Sequence, residues 1–231
     1  MSDAQFMRMQ SLDDLVRAAQ LDVRTYLYGN GIDEAAQVDP NDLGIVSMAN
    51  AVAGELNSQR CDTFTSPQRH SGQVHTLASP RVRNRGAARG VLPAGALWTA
   101  TPLADETDTW THSRESEPNA VYELHFTPAE IDVKKIGSAA DWRRLIADHP
   151  RNTSEDLSPN WDVIAVRAAA VHLSLAGLLT AHPQLTDRVA APSDGYRHSR
   201  SGPWAGVGDW PTVSTAWMTL PEKYTWTTVW P

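Results

Sequence analysis

Residues 96–101 read ALWTAT and residues 120–127 read AVYELHFT, and these two short runs decide the fold class. Both are rich in apolar, β-branched and aromatic residues and are bounded by glycine, proline or asparagine, which is typical of β-strands. Three further runs of this kind lie at residues 73–78, 170–175 and 213–219. Strands outnumber helices in this part of the chain and do not alternate regularly with them. The pattern therefore predicts an α+β fold with a mixed or antiparallel sheet.

Two short helices are predicted between these strands from their N-terminal signals. Ser138 is followed three residues later by Asp141, which is typical of a helix start. Ser158 precedes Pro159, and this pair fits an N-cap serine with proline in the first helical turn, where the missing N–H costs nothing.

The chain divides into three parts by composition. Residues 1–57 carry apolar side chains at helical spacing and no catalytic or metal motif, so we predict a helical cap that packs on the rest of the chain. Residues 58–72 are polar and contain Pro67 and Gly72, which predicts a surface linker. Residues 73–231 form the predicted α+β domain.

Charge and cysteine content exclude several classes of protein. Among 231 residues, 27 acids outnumber 20 bases, so the chain lacks the positive surplus of a protein that binds nucleic acid non-specifically. The single cysteine, Cys61, excludes an internal disulfide framework and a cysteine-rich zinc site. We expect a cytoplasmic protein without a membrane partner, because no apolar run approaches about 20 residues and the N-terminus lacks a signal-peptide pattern.

The common enzyme motifs are absent from the sequence. It contains no Gly-x-Gly-x-x-Gly, no Gly-Lys-Ser/Thr phosphate loop, no His-Glu-x-x-His and no Gly-x-Ser-x-Gly. The eight histidines are scattered, so no metal site is predicted.

One dense positive segment stands out at residues 81–89, RVRNRGAAR. Arg81, Arg83 and Arg85 alternate with other residues, and arginines in such a loop can hold a pyrophosphate through bidentate, charge-assisted hydrogen bonds. A solvated loop that balances nearby acids explains the same composition equally well.

Several short motifs resemble actinobacterial and phage proteins of the ADP-ribosyltransferase-like fold. The resemblance extends over residues 73–219. Its motifs are GALWTAT at residues 95–101, Trp110 with Thr111, VYELHFTPAEIDVKKI at residues 121–136, Asp141 with Trp142, and VHLSLAGLLT at residues 171–180.

The resemblance implies a two-sheet core with NAD, as substrate, in the cleft between the sheets. It implies a His or Arg on the first strand, a Ser/Thr and aromatic strand in the middle, and a Glu on a late strand. His75, with Arg81 as the alternative, takes the first role. Trp98, Thr99 and Thr101 take the second, as cofactor-binding residues together with the arginine segment.

The third role is where the sequence departs from the family. The relatives carry Gly-Trp-Asp-x-Glu-Ser/Thr near the C-terminus, whereas residues 208–215 read GDWPTVST and place Val213 at the position of the glutamate. Valine cannot stabilise an oxocarbenium-like transition state by charge. The resemblance therefore leaves Asp209 as the nearest substitute acid, which acts together with His75.

Two functions remain open from the sequence. The first is an ADP-ribosyltransferase-like protein that binds NAD or a related nucleotide and transfers ADP-ribose to an acceptor. The second is a non-enzymatic module that binds another protein through exposed tryptophans, since Trp204, Trp210, Trp217, Trp226 and Trp230 crowd the C-terminal region.

Overall fold

The structure is a computed structural model. It describes residues 63–72, 74, 76–85, 92–102, 108–110, 120–152, 157–180, 207, 210 and 212–230. The predicted N-terminal helices of residues 1–57 lie outside the described residues, and so do His75, Trp204 and Asp209.

Nine strands, three α-helices and a short 3-10 turn make up the described part of the chain. The strands are β1 (Gln68–Ser71), β2 (Leu97–Ala100), β3 (Val121–His125), β4 (Val133–Ile136), β5 (Pro150–Asn152), β6 (Leu157–Pro159), β7 (Ala170–Leu173), β8 (Ser214–Trp217) and β9 (Thr225–Trp230). The helices are α1 (Ala139–Asp148), α2 (Trp161–Arg167) and α3 (Leu175–Thr180), and the 3-10 turn is Pro128–Glu130.

Seven of these strands form one mixed sheet in the order β4-β7-β8-β2-β1-β3-β9. Every neighbouring pair is antiparallel except β4 and β7, which run parallel. Strands β5 and β6 form a separate two-stranded ribbon. The predicted α+β class with a largely antiparallel mixed sheet is confirmed. The described strands are not divided into the two small packed sheets that the resemblance implies.

Four of the five predicted strand runs contain a strand, namely β2, β3, β7 and β8. The fifth, residues 73–78, has none among its described residues. Instead β1 lies at the end of the segment that the sequence predicts to be a surface linker, and it pairs with β2 and β3 inside the sheet. The sequence pattern does not predict β1, because its side chains are polar. In the structure these polar side chains bond to residues of other strands.

The sheet has an apolar layer on each face. The first contains Trp142, Leu145 and Ile146 of α1 together with Trp161 and Ile164 of α2, packed on inward residues of β4, β7 and β8. The second, smaller cluster is centred on the buried side chains of Phe64, Leu124, Ala170 and Trp217. The helices therefore cover the β4–β8 half of one sheet face.

The two predicted helix starts have different outcomes. Ser138 is the N-cap of α1, and its Oγ accepts a hydrogen bond from the main-chain N–H of Asp141 at 3.2 Å, as predicted. The predicted start at Ser158 and Pro159 is wrong, because these residues belong to β6 and α2 begins only at Trp161.

Candidate functional site

Arg81, Arg83 and Arg85 form an exposed row that we call the arginine ridge. Their side chains are exposed, while those of Val82 and Asn84 between them are half-buried. This alternation is typical of an extended segment, in which residues two positions apart lie on the same side and about 6.6 Å from each other. The three guanidinium groups therefore share the solvent side of the segment.

The main chain under the ridge is fixed against the segment that leads into β2. Arg83 and Ala94 exchange two main-chain hydrogen bonds of 3.0 Å each, as in an antiparallel bridge. Gly95 has φ +79°, and a Cβ there would lie 2.4 Å from the carbonyl oxygen of Arg81. Only glycine fits this close approach without moving the ridge. On the inner side, Val82 packs against the larger hydrophobic core.

Asn84 anchors the ridge to the start of α2. Its Oδ1 accepts a hydrogen bond from the main-chain N–H of Trp161 at 2.8 Å, and its Nδ2 donates to Oδ1 of Asn160 at 3.0 Å. The same Nδ2 also donates to the carboxylate of Asp162, to which the main-chain N–H of Asn84 donates at 3.3 Å. The inner side of the ridge thus holds the neutral amide of Asn84 and the carboxylate of Asp162, while the three arginines stay on its outer side.

A fourth guanidinium lies next to the ridge. Nη1 of Arg151, in β5, donates to the carbonyl oxygen of Arg85 at 2.7 Å. Among the described residues, the ion pairs involve Arg69, His125, Lys134 and Arg144, and none of the ridge arginines. The ridge arginines thus form no ion pair with a described acid, although the carboxylate of Asp162 lies beside them at Asn84.

Thr99 and Thr101 lie in the interior, where protein groups already use their hydroxyls. Oγ1 of Thr99 donates to Oε1 of Gln68 and accepts from Nε1 of Trp217 at 2.8 Å. Oγ1 of Thr101 donates to the carbonyl oxygen of Thr63 at 2.7 Å. Both threonines are buried, so in this structure they hold strands together.

Trp98 also packs into the protein. It is half-buried against the larger core, and its ring meets that of Trp210 edge to face with centroids 5.0 Å apart. The seven tryptophan side chains that the structure describes include none that is exposed. The protein-interaction hypothesis therefore depends on Trp204 and Trp230, whose side chains lie outside the described set.

Val213, at the position of the family glutamate, is fully buried in the larger core. Its carbonyl oxygen accepts a hydrogen bond from Oγ1 of Thr109 at 2.6 Å. The motif position thus faces apolar side chains, which explains why valine stands there.

A polar cluster that the sequence did not indicate lies on β1 and β3. Nε of Arg69 lies 3.0 Å from Oε1 of Glu123, and these side chains are only 15% and 16% exposed. Nε2 of His125 lies 3.2 Å from the other carboxylate oxygen of Glu123. In the sheet register, Arg69 lies opposite Ala100 of β2 and opposite Glu123 of β3. Residues opposite each other have their side chains on the same face, so the cluster lies on one face of the sheet.

No local sequence pattern predicts this cluster. Arg69 stands in a segment with no apolar period, and Glu123 is 54 residues away in the sequence. Glu123 is the one acidic residue in the described strands. Only the pairing of β1 with β3 brings the two side chains together.

Comparisons with known proteins do not assign the chain. No family model, curated protein or solved structure matches it. In the described ranges, no three His, Cys, Asp or Glu side chains are grouped so that they could hold a metal ion. None of the described helices has the length and apolar character needed to cross a membrane.

Proposed function

We propose that this chain binds NAD through its pyrophosphate at the arginine ridge, as an ADP-ribosyltransferase-like protein. The observation that carries the proposal is the row of three exposed arginines on a braced segment, none of which forms an ion pair with a described acid. A pyrophosphate presents several anionic oxygens close together. Guanidinium groups bind such oxygens bidentately and keep their charge at every physiological pH.

Bracing of the segment matters for affinity. A mobile loop must be ordered when it binds, and that entropy is subtracted from the binding free energy. The contacts of Val82, Asn84 and Gly95 hold the main chain of the ridge before any ligand arrives. Binding then requires only the arginine side chains to be ordered.

By the resemblance, the transfer step needs a carboxylate and a His or Arg on the first strand, and the described strands carry candidates for both. The first described strand is β1, which carries Arg69 and His70, the residue types that the resemblance assigns to that strand. Glu123 pairs with Arg69 on the neighbouring strand. We therefore add Glu123 to Asp209 as a candidate for the carboxylate that stabilises positive charge on the ribose.

Calorimetric titration tests the binding part of the proposal. The triple variant Arg81→Gln, Arg83→Gln, Arg85→Gln is expected to bind NAD at least about tenfold more weakly, or about 1.4 kcal/mol. Nicotinamide mononucleotide, which lacks a pyrophosphate, should bind weakly to both proteins. The matched control is Lys223→Gln, which removes an exposed positive charge between β8 and β9. Unchanged NAD affinity in the triple variant would overturn the proposal, as would inorganic pyrophosphate binding as tightly as NAD.

The transfer part has its own assay. Release of nicotinamide from labelled NAD is measured for the unaltered chain, for Glu123→Gln and for Asp209→Asn. Loss of release in one variant, with NAD affinity retained, identifies the acid. If NAD binds and no nicotinamide is released by the unaltered chain, the ridge is a binding site and the transferase part of the proposal is wrong.

A further inference from the structure

A groove of about 540 Å³ lies between the edge strand β4 and helix α1. All four residues of β4 form one wall. The other wall is a single face of α1, since its residues follow the i, i+3, i+4, i+7 spacing of a helix. These residues are Asp141, Arg144, Leu145 and Asp148, and His149 and Arg167 complete the lining.

The outer edge of β4 faces this groove. Strand β4 ends the order of the described sheet, with β7 on its other side. The carbonyl oxygens of Asp132 and Ile136 accept hydrogen bonds from Ala170 and Ser174 on the β7 side. Since main-chain groups alternate in direction along a strand, the N–H and C=O of Val133 point away from β7. The groove thus exposes main-chain groups of the kind that pair with another strand.

The lining is positive, although the whole chain carries a formal charge of -7. It contains four cationic side chains, Lys134, Lys135, Arg144 and Arg167, and two carboxylates, Asp141 and Asp148. Two of the cations already have an acid beside them. Nη1 of Arg144 lies 3.5 Å from Oδ1 of Asp141, and Nζ of Lys134 lies 3.3 Å from Oδ1 of Asp132. One of these carboxylates is committed to the start of α1. Oδ2 of Asp141 accepts hydrogen bonds from the N–H of Gly137 at 3.1 Å and from Oγ of Ser138 at 2.9 Å.

We propose that this groove binds an extended acidic segment of a partner protein, which adds to the sheet beside β4. Its main chain pairs with Val133, and its carboxylates reach Arg144 and Arg167. Addition of a strand to a sheet edge supplies affinity through main-chain hydrogen bonds and specificity through alternate side chains. The groove between an edge strand and a helix gives such a segment walls on both sides.

The charges also select the partner. Lysines on an edge strand discourage pairing with a second copy of the same edge, because the like charges would meet. Two β4 strands side by side would bring Lys134 and Lys135 against their counterparts. An acidic segment meets the lining with opposite charge, and the excess of four cations over two carboxylates favours this occupant over a second copy of the edge.

Fluorescence anisotropy with labelled ten-residue peptides tests the proposal on the full chain. A peptide of alternating glutamate and valine is expected to bind, and its lysine–valine counterpart is not. A glutamate–valine peptide with N-methyl groups at alternate residues keeps the charge but loses the main-chain donors, so its binding should fall at least about tenfold. Equal binding of the methylated and unmethylated peptides would overturn the strand addition.

Variants locate the binding in the groove. Arg144→Glu and Arg167→Glu should each weaken the glutamate–valine peptide at least about tenfold. Both side chains are exposed, so the variants are expected to fold, which circular dichroism verifies. The control is Arg143→Glu, an exposed neighbour on α1 that does not line the groove. If Arg143→Glu weakens binding as much as Arg144→Glu, or if oligothymidylate binds more tightly than the peptide and depends on Arg144, the proposal is wrong.

Discussion

Asn84 supplies the cap of helix α2 from a distant part of the chain. Its Oδ1 accepts a hydrogen bond from the main-chain N–H of Trp161 at 2.8 Å, across 77 residues of sequence. Asn160, the residue at the N-cap position, makes no side-chain cap bond to the helix. The cap of a helix and the anchor of the arginine ridge are therefore the same side chain.

The first prediction removes this side chain. Asn84→Ala should lower the free energy of unfolding by about 1–2 kcal/mol, because the N–H of Trp161 loses its acceptor and helix caps are typically worth that much. Urea denaturation followed by tryptophan fluorescence measures the change. Ser158→Ala is the control, since Ser158 lies in β6 and not at the helix start, and it should change stability by less than about 0.5 kcal/mol. Equal losses in the two variants would contradict the capping role of Asn84.

This cap also shows how far the sequence predicts the fold. Local signals were sufficient for α1, because Ser138 and Asp141 are three residues apart and bond to each other. They failed for α2, whose capping side chain is remote in sequence. The strands β2, β3, β7 and β8 were predictable from their apolar and β-branched residues. Strand β1 was not, because its residues are stabilised by partners on other strands.

The candidate site, like the fold, could be predicted from the sequence only in part. The alternation of arginine in residues 81–85 was visible in the sequence, and the structure adds the anchoring by Asn84 and Gly95. For hydroxyl residues such as Thr99, the sequence does not indicate whether the side chain faces a ligand or a neighbouring strand. The sequence pattern is the same in both cases, and only the pairing of β1 with β2 decides between them.

The second prediction concerns Thr99 as a structural residue. Thr99→Val keeps the shape of the side chain but removes the acceptor of the Trp217 indole N–H and the donor to Gln68. Nε2 of Gln68 already has no partner in the described structure, so the loss leaves this amide without any hydrogen bond. We expect a loss of about 2–4 kcal/mol, since each unpaired buried group costs about 1–3 kcal/mol.

Chemical denaturation provides the measurement for Thr99→Val, and Thr227→Val provides the comparison. Thr227 is exposed on β9, where valine suits a strand, so its replacement should be nearly neutral. A Thr99→Val protein of unchanged stability that binds NAD more weakly would instead place this hydroxyl at the ligand.

The third prediction tests the Arg69–Glu123 pair. Both side chains are largely buried, so removing one of them takes away the nearest opposite charge of the other, while Glu123 still lies 3.2 Å from Nε2 of His125. Each of Arg69→Met and Glu123→Gln should therefore destabilise the protein by about 1–3 kcal/mol, the usual cost of removing one partner of a buried polar contact. The double variant should lose less than the sum of the two, because each single variant already breaks the shared contact. Strictly additive losses in thermal unfolding would show that the two side chains do not interact.

The last prediction concerns the position of the family glutamate. Val213 is fully buried and packs in the larger core, so Val213→Glu would place a carboxylate among apolar side chains. We expect destabilisation of about 3–5 kcal/mol, the usual consequence of a buried charge without a partner, and no gain of nicotinamide release. Val166→Glu makes the same change at a side chain that is 86% exposed in α2, and it should alter stability by less than about 0.5 kcal/mol. A Val213→Glu protein that keeps its melting temperature and releases nicotinamide would show instead that this position opens onto the NAD site, and that the acid of the reaction belongs there.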